Sequence, residues 1–489
     1  MTRITIDPIT RLEGHGRIEI FLDAAGDVEN AYFQVPELRG FEQFLRGRAA
    51  EDMPVITNRI CGVCPEAHHL AATKALDRLF MVEPPRAAHL IREAMYMAFF
   101  VTDHTTHFYV LGGPDFIVGP DAPPAERNVL GVIAKVGLGI GGQVIATRKR
   151  NHEMIKKLGG RPIHPAAGLP GGWSQPVRLG DLDEFKATAR ANIEFSQFSL
   201  KVFEDIVLGN PAYREVVLGD TYLHRTHSMG TVDAQNRVNL YDGTLRVVDT
   251  VGDEIVRFPA RDYAQHIAER VEPWSYMKFP YLRAKGWSGF VDGQASGVYT
   301  ATPLARINVS DALATPLANE QRQRFFEILG GRPVHHRMAT HWARLIEMLY
   351  AAERMQEIVC DPEFVSPHVR TIPSGEIDPE GGIGSVEAPR GTLIHHYEAD
   401  PQGRITKANL IVGTTNNHAA MSMSIKRAAQ SLIRGGKPVS EGLLNRIEMA
   451  FRLYDPCLSC ATHALPGQMP MLVTLRDPSG RVVETLRRD

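Results

Sequence analysis

Apolar and polar side chains alternate through Arg17-Ile18-Glu19-Ile20-Phe21-Leu22, a polar turn spans 24–27, and alternation resumes over 28–35. A period of two with a short polar break predicts a β-hairpin, because successive strand side chains point to opposite faces. Downstream, the apolar positions recur every three or four residues. That spacing predicts helices over 38–48, 65–80, 87–111, 128–158, 182–207, 321–329, 340–359, 418–433 and 441–454. Between them, 221–257 and 392–415 return to alternation and carry turn pairs at Asp242-Gly243 and Gln402-Gly403, which predicts strand pairs. A last hairpin is expected from 471–475 and 477–483. No repeat or low-complexity linker breaks the pattern, so one compact, helix-rich α+β unit with appended strands is the expected architecture.

Composition narrows the function without naming it. The chain holds 54 basic and 56 acidic side chains, carries a net charge of −2 and is 44% hydrophobic. This is the balance of an ordinary globular protein and offers no basic footprint for nucleic acid. Its most apolar stretch, 94–101, falls well short of the ~20 residues that cross a bilayer, and residues 1–7 lack the apolar core of a secretion signal. A cytoplasmic location with no membrane span is therefore expected.

The candidate chemistry lies in the cysteines. Four of the five form two Cys-x-x-Cys pairs, Cys61/Cys64 and Cys457/Cys460, at opposite ends of the chain. A zinc ribbon places its pairs about 15–20 residues apart, because the metal closes a small local loop. A disulfide framework suits small secreted domains, not a chain of this length. A thioredoxin-like role for one pair leaves the other unexplained. A shared four-thiolate site fits best, and thiolates favour zinc, iron and nickel over calcium and magnesium. The fifth, Cys360, reads as a small buried hydrophobe at a helix end.

The residues around the pairs are more specific. Arg59-Ile60-Cys61-Gly62-Val63-Cys64-Pro65-Glu66-Ala67-His68 and Asp455-Pro456-Cys457-Leu458-Ser459-Cys460-Ala461-Thr462-His463 resemble the paired signatures of the large subunit of nickel–iron hydrogenases. Three other stretches agree in the family's order: Asp7-Pro8-Ile9-Thr10-Arg11-Leu12-Glu13-Gly14-His15, Arg39-Gly40-Phe41-Glu42 and Glu387-Ala388-Pro389-Arg390-Gly391-Thr392-Leu393. The resemblance covers essentially the whole chain. It implies the large-subunit fold over 1–463, with a central helix bundle and peripheral antiparallel strands. It also implies reversible heterolytic cleavage of dihydrogen, which requires an electron-poor metal and a nearby base for the proton. By resemblance, Cys61 and Cys457 are terminal nickel ligands. Cys64 and Cys460 bridge nickel to an iron that carries carbon monoxide and cyanide.

The same resemblance assigns the surroundings. Arg390, after Pro389, hangs over the open coordination position, flanked by Asp103 and Asp455. Read locally, Arg390 could instead pair with Glu387, and Asp455-Pro456 could be a plain helix stop. His68 lies one helical turn beyond Cys64, which puts it within reach of a bridging sulfur; a histidine bonded to a backbone carbonyl is the other reading. Thr414 and Thr415 stand where relatives offer a hydroxyl to cyanide, although Gly413 replaces the frequent proline. Glu13 resembles the first proton acceptor, a role that asks for a buried, hydrogen-bonded carboxylate. Glu42 resembles a ligand of magnesium or a similar ion, completed by His463 and a carbonyl near 410–412.

Residues 464–489 match a tail that the family's dedicated endopeptidase removes after maturation proteins insert nickel. The logic is that Cys457 and Cys460 stay reachable until metal loads, after which the shortened end folds inward. A permanent accessory hairpin is the alternative. With no spare cysteines for clusters and no dinucleotide fingerprint, the chain needs an iron–sulfur small subunit, with further electron-transfer subunits beyond it. The resemblance is strongest to the cytoplasmic, bidirectional branch, of NAD-reducing or viologen-reducing type. A rival of another class is a zinc-stabilised, non-catalytic scaffold of a redox complex.

Overall fold

The computed structural model describes residues 2–463 and 471–488. The N-terminal hairpin forms from Arg17–Leu22 and Val28–Gln34, and Thr2–Ile6 adds a third antiparallel strand. Alternation puts Ile18, Ile20 and Phe33 in the core. Helices Arg86–Thr106, Leu138–Gly159, Leu182–Phe203 and Thr340–Cys360 pack into the central bundle. Thr340–Cys360 is buried along most of its length, and it takes the charged Arg344 and Glu347 into the interior with it.

The helix Pro65–Leu79 lies across an antiparallel sheet of Gly382–Ala388, Gly391–Ala399 and Ile405–Ile411. Helix and sheet come so close that a Cβ at Gly384 would lie 2.3 Å from the Ala71 carbonyl oxygen. The glycines that permit this approach weaken strand propensity, so Gly382–Ala388 carried no strand signal in the sequence. The 221–257 region forms antiparallel strands His227–Val232, Thr244–Val248 and Glu254–Phe258. Two short parallel pairings, from Tyr299–Thr300 and Ala312–Leu313, join that sheet. Near the C-terminus, Met471–Arg476 pairs with Val482–Arg488 as the expected hairpin.

Several helix bounds differ from expectation. The helix expected at 38–48 is one turn, Phe41–Phe44, flanked by glycines at 40 and 47. The helix expected at 128–158 breaks at Gly137, whose φ of 88° no helical residue adopts, into Val129–Val136 and Leu138–Gly159. Arg86–Thr106 and Leu182–Phe203 each run on into a wider π turn, His107–Gly112 and Glu204–Leu208. Cys360 ends its helix exposed, not buried, accepting a bond from Gln356 Nε2 at 3.0 Å. Among the described residues, no helix is long and apolar enough to cross a membrane.

Candidate metal centre

Each cysteine pair sits where a helix begins. Cys61 follows the 3₁₀ turn Thr57–Ile60, and Cys64 stands immediately before Pro65, whose fixed φ and missing N–H suit the first helical position. At the other end, Glu441–Arg452 stops and Asp455 takes a left-handed φ of 54°, a conformation Asp tolerates. That turn delivers Cys457 to the start of Leu458–Ala461. The four sulfurs converge within 4.8 Å of one another, all buried, and none is in a disulfide. Cys61 Sγ lies 3.0 Å from Cys64 Sγ and 3.3 Å from Cys457 Sγ.

Four buried thiols this close cannot ionise independently. Burial pushes the Cys457 and Cys460 thiols well above their ordinary range. Burial would also raise Cys61, but hydrogen bonds from the other three sulfurs outweigh it and hold that thiol well below. A soft cation resolves this conflict, because it deprotonates its thiol ligands outright. The positive end of the 15-residue helix behind Cys64 favours a thiolate in the same direction.

A buried arginine lies near enough to the quartet to feel the charge of Cys457 and Cys64. Arg390 Nη1 donates to Asp103 Oδ2 at 3.1 Å, and Nη2 lies 3.0 Å from Asp455 Oδ2. Burial raises both carboxyls and Arg390 only partly offsets it; the two carboxylates in turn keep Arg390 charged despite its own burial. The sequence alternative of an Arg390–Glu387 pair is not what forms. Glu387 pairs with Arg306 at 3.2 Å and accepts from Thr231 and Thr392.

Arg306 anchors the loop that carries Arg390. Its guanidinium forks onto Glu347 at 2.6 and 2.7 Å and donates to the Ala388 and Pro389 carbonyls at 3.0 and 3.1 Å. Burial alone would raise Glu347, yet Arg306 holds it down to about 2. Because this folded-state value is depressed, the stabilisation is complete at neutral pH and is lost as pH falls through about 2. Replacing Arg306 with methionine strands two buried carboxylates, and at pH 7 the expected loss is ~3–5 kcal/mol of unfolding free energy. Denaturant unfolding of the variant checks this; wild-type stability would show the network to be dispensable.

Glu13 is tied to the second pair by backbone and side chain. Its N–H bonds the Pro456 carbonyl at 3.3 Å, and its own carbonyl accepts from Leu458 N at 2.9 Å. Cys457 Sγ then lies 3.0 Å from Glu13 Oε2, while Ser459 Oγ donates to Oε1. Glu13 is partly exposed, not buried as its role had suggested. Of the two readings of His68, the backbone carbonyl is not its partner: Nδ1 meets His395 Nε2 at 3.0 Å, and His395 Nδ1 meets Tyr397 Oη at 2.6 Å. Burial lowers the His68 imidazole to about 4, so it is neutral. Its Nε2 finds no hydrogen-bond partner among the described residues. Thr414 Oγ1 accepts from Cys457 N at 3.1 Å and keeps its own proton free to donate, whereas Thr415 Oγ1 donates to the Ala461 carbonyl at 2.7 Å.

Glu42 and His463 also come together, with Glu42 Oε1 3.7 Å from His463 Nδ1. Arg39 bridges Glu42 and the Leu410 carbonyl at 2.7 and 3.2 Å, and its Nε donates to the Cys460 carbonyl at 2.7 Å. Glu42 Oε2 and His463 Nδ1 are buried without a partner among the described residues. A carboxylate oxygen and an imidazole nitrogen, both without a partner among the described residues and on side chains that approach to 3.7 Å, are donor types that suit a small hard cation. His463 Nε2 pairs with Glu269 Oε1 at 2.7 Å. His463, Cys457 and Cys460 are buried. The junction at Ala464 lies outside the described residues. Sequence reasoning missed Glu269, Arg306 and His395, which stand in no motif. It quoted Arg39 and Ser459 without giving either a role.

With this geometry in hand, comparison with known proteins gives one answer. The family described as nickel-dependent hydrogenase matches residues 39–128 and 143–463, and a HoxL-like segment matches 3–38. The chain is 48% identical over 487 residues to an F420-non-reducing hydrogenase iron-sulfur subunit of Archaeoglobus profundus, covering 100% of both chains. It is 37% identical to the NAD-reducing hydrogenase HoxS subunit beta of Cupriavidus necator, covering 99% of each. Among solved structures, an NAD+-reducing [NiFe]-hydrogenase in the H2-reduced state superposes with a TM-score of 0.87 at 37% identity, over 95% of this chain and 100% of that one.

Proposed function

This chain belongs to the nickel-dependent hydrogenase family, and on that premise we propose how its residues divide the work of splitting dihydrogen. It is the catalytic subunit of a nickel–iron hydrogenase. The observation that carries the assignment of roles is the closed quartet of buried thiols beneath Arg390 and against Glu13. Cys61 and Cys457 would hold nickel as terminal ligands, and Cys64 and Cys460 would bridge it to iron. When bound, such a centre supplies the electron-poor site at which dihydrogen is cleaved heterolytically.

The chain's own residues handle the rest. Glu13, 3.0 Å from the Cys457 sulfur, accepts the proton. Arg390 holds a fixed cation over the thiolates, oriented by Asp103 and Asp455, and a planar guanidinium suits negatively polarised ligands. His68, whose Nε2 has no partner among the described residues, would supply a hydrogen bond to a bridging thiolate. Thr414, whose hydroxyl proton is uncommitted, is the better donor to an iron-bound cyanide; Thr415 holds the Ala461 turn. Pro389, next to Arg390, would line the site where iron carries carbon monoxide and cyanide. Glu42 and His463 would hold magnesium or a similar ion.

Electrons leave through other chains. Four of five cysteines belong to the quartet and Cys360 is solitary, so iron–sulfur clusters require a small subunit, followed by further electron-transfer subunits. Relatives named NAD-reducing and F420-non-reducing hydrogenases support a soluble acceptor and a cytoplasmic enzyme. The deciding test is metal analysis and infrared spectroscopy of the anaerobically purified complex. One nickel per catalytic subunit, iron in excess of nickel because the small subunit's clusters add to it, and bands from diatomic iron ligands are expected; stoichiometric zinc without nickel refutes the assignment in favour of a scaffold. Residues 464–489 are proposed to be removed by an endopeptidase after maturation proteins load nickel. Intact mass should then end at His463 in a competent host and retain the tail where the nickel-insertion machinery is missing. Active, nickel-loaded protein carrying the whole tail would make the hairpin a permanent element.

A further inference from the structure

We infer that Glu37 and His15 form the port through which protons pass from Glu13 to solvent, an inference that rests on the proton-acceptor role of Glu13. Beyond the Cys457 sulfur, the hydrogen-bonded series continues from Glu13 to the Ser459 hydroxyl. Gly14 lies at a φ of 88°, and a Cβ placed there would fall 2.7 Å from Ser459 N and 3.1 Å from Glu37 Oε2. With no side chain at Gly14, the Ser459 backbone and the Glu37 carboxylate close in on the same point, which brings the Ser459 end of the relay near Glu37. Glu37 Oε2 is buried and has no partner among the described residues, while Oε1 pairs with His15 Nδ1. Exposure rises along the series: the Glu37 side chain is 24% exposed and that of His15 is 81% exposed.

We take a single water bridging the Ser459 hydroxyl and the unpartnered Glu37 oxygen to join the two halves, since it can accept from Ser459 and donate to Glu37. The transfer is neutral overall. Glu13 takes a proton from the Cys457 side; the Ser459 hydroxyl receives one and gives up its own; Glu37 and then His15 pass one to bulk water. An imidazole suits the outermost position because its two ring nitrogens can take up a proton on one side and release one on the other. The other chain of titratable groups leaving the centre, His68 to His395 to Tyr397, ends on a tyrosine that is fully buried. Toward Glu42, the Arg39 guanidinium stands in the way as a fixed cation that neither accepts nor relays protons.

Two isotope assays on the assembled enzyme separate proton exit from cleavage. Conversion of para- to ortho-hydrogen needs only cleavage and recombination inside the site, whereas exchange of deuterium gas with water needs protons to cross the port. Glu37→Gln should lower exchange and dihydrogen oxidation ~10- to 100-fold, below the effect of losing a direct acid–base group, with conversion and nickel content unchanged. His15→Ala should show a smaller loss that imidazole in the buffer restores. Wild-type exchange in Glu37→Gln, a loss in His15→Ala that imidazole leaves untouched, or parallel loss of conversion overturns the port. Glu13→Gln serves as the control: if it keeps full exchange, the acceptor role of Glu13 fails, and the port with it.

Discussion

Alanine at any one of Cys61, Cys64, Cys457 or Cys460 is expected to reduce dihydrogen turnover to background, with nickel lost from the purified protein. The four sulfurs form one closed set within 4.8 Å, so no neighbouring thiol can take over a vacated position. A soft cation also loses affinity steeply when a thiolate is removed, since oxygen and nitrogen donors bind it less well. Cys360→Ala is the matched control, because that thiol is exposed at the end of Thr340–Cys360 and belongs to no cluster among the described residues. Hydrogen-dependent viologen reduction with parallel metal analysis reads both outcomes. A Cys360→Ala enzyme as dead as the other four would undo the ligand assignment.

Glu13→Gln is expected to lower dihydrogen oxidation by ~10²–10⁴-fold, the usual effect of removing a positioned acid–base group, while nickel and iron stay at wild-type levels. Glutamine keeps the backbone bonds to Pro456 and Leu458, so the Cys457 loop retains its course. What it removes is the site 3.0 Å from the Cys457 sulfur that can accept and release a proton. Steady-state oxidation and metal content measured on one preparation separate proton transfer from assembly. A Glu13→Gln protein without metal moves this residue from the relay to maturation.

These expectations draw unequally on sequence and structure. The two cysteine pairs and Pro65 at the start of its helix are local signals, and the fold brings them where the sequence placed them; the words around Glu13, Glu42 and Arg390 were equally local in the sequence. The long helices were also legible, since an apolar stripe of period 3.6 is written within a single segment. Where glycine interrupts, legibility falls. The strand Gly382–Ala388 gave no signal, because its glycines serve the close approach of Pro65–Leu79, and that helix lies far away along the chain. The single helix expected at 128–158 is broken in two at Gly137.

The sequence by itself determined the donor types, their order and the turn geometry that presents them, because thiolates, carboxylates and a proline-led helix act through near neighbours. Only the tertiary structure decided who meets whom. It gave Arg390 to Asp103 and Asp455 and left Glu387 to Arg306. It set His395 behind His68, Glu269 behind His463, and Glu37 close to Ser459 beside Gly14. A buried charge must find an opposite charge or hydrogen-bonding partners wherever the packing provides them, and that choice depends on which distant segments the core brings together.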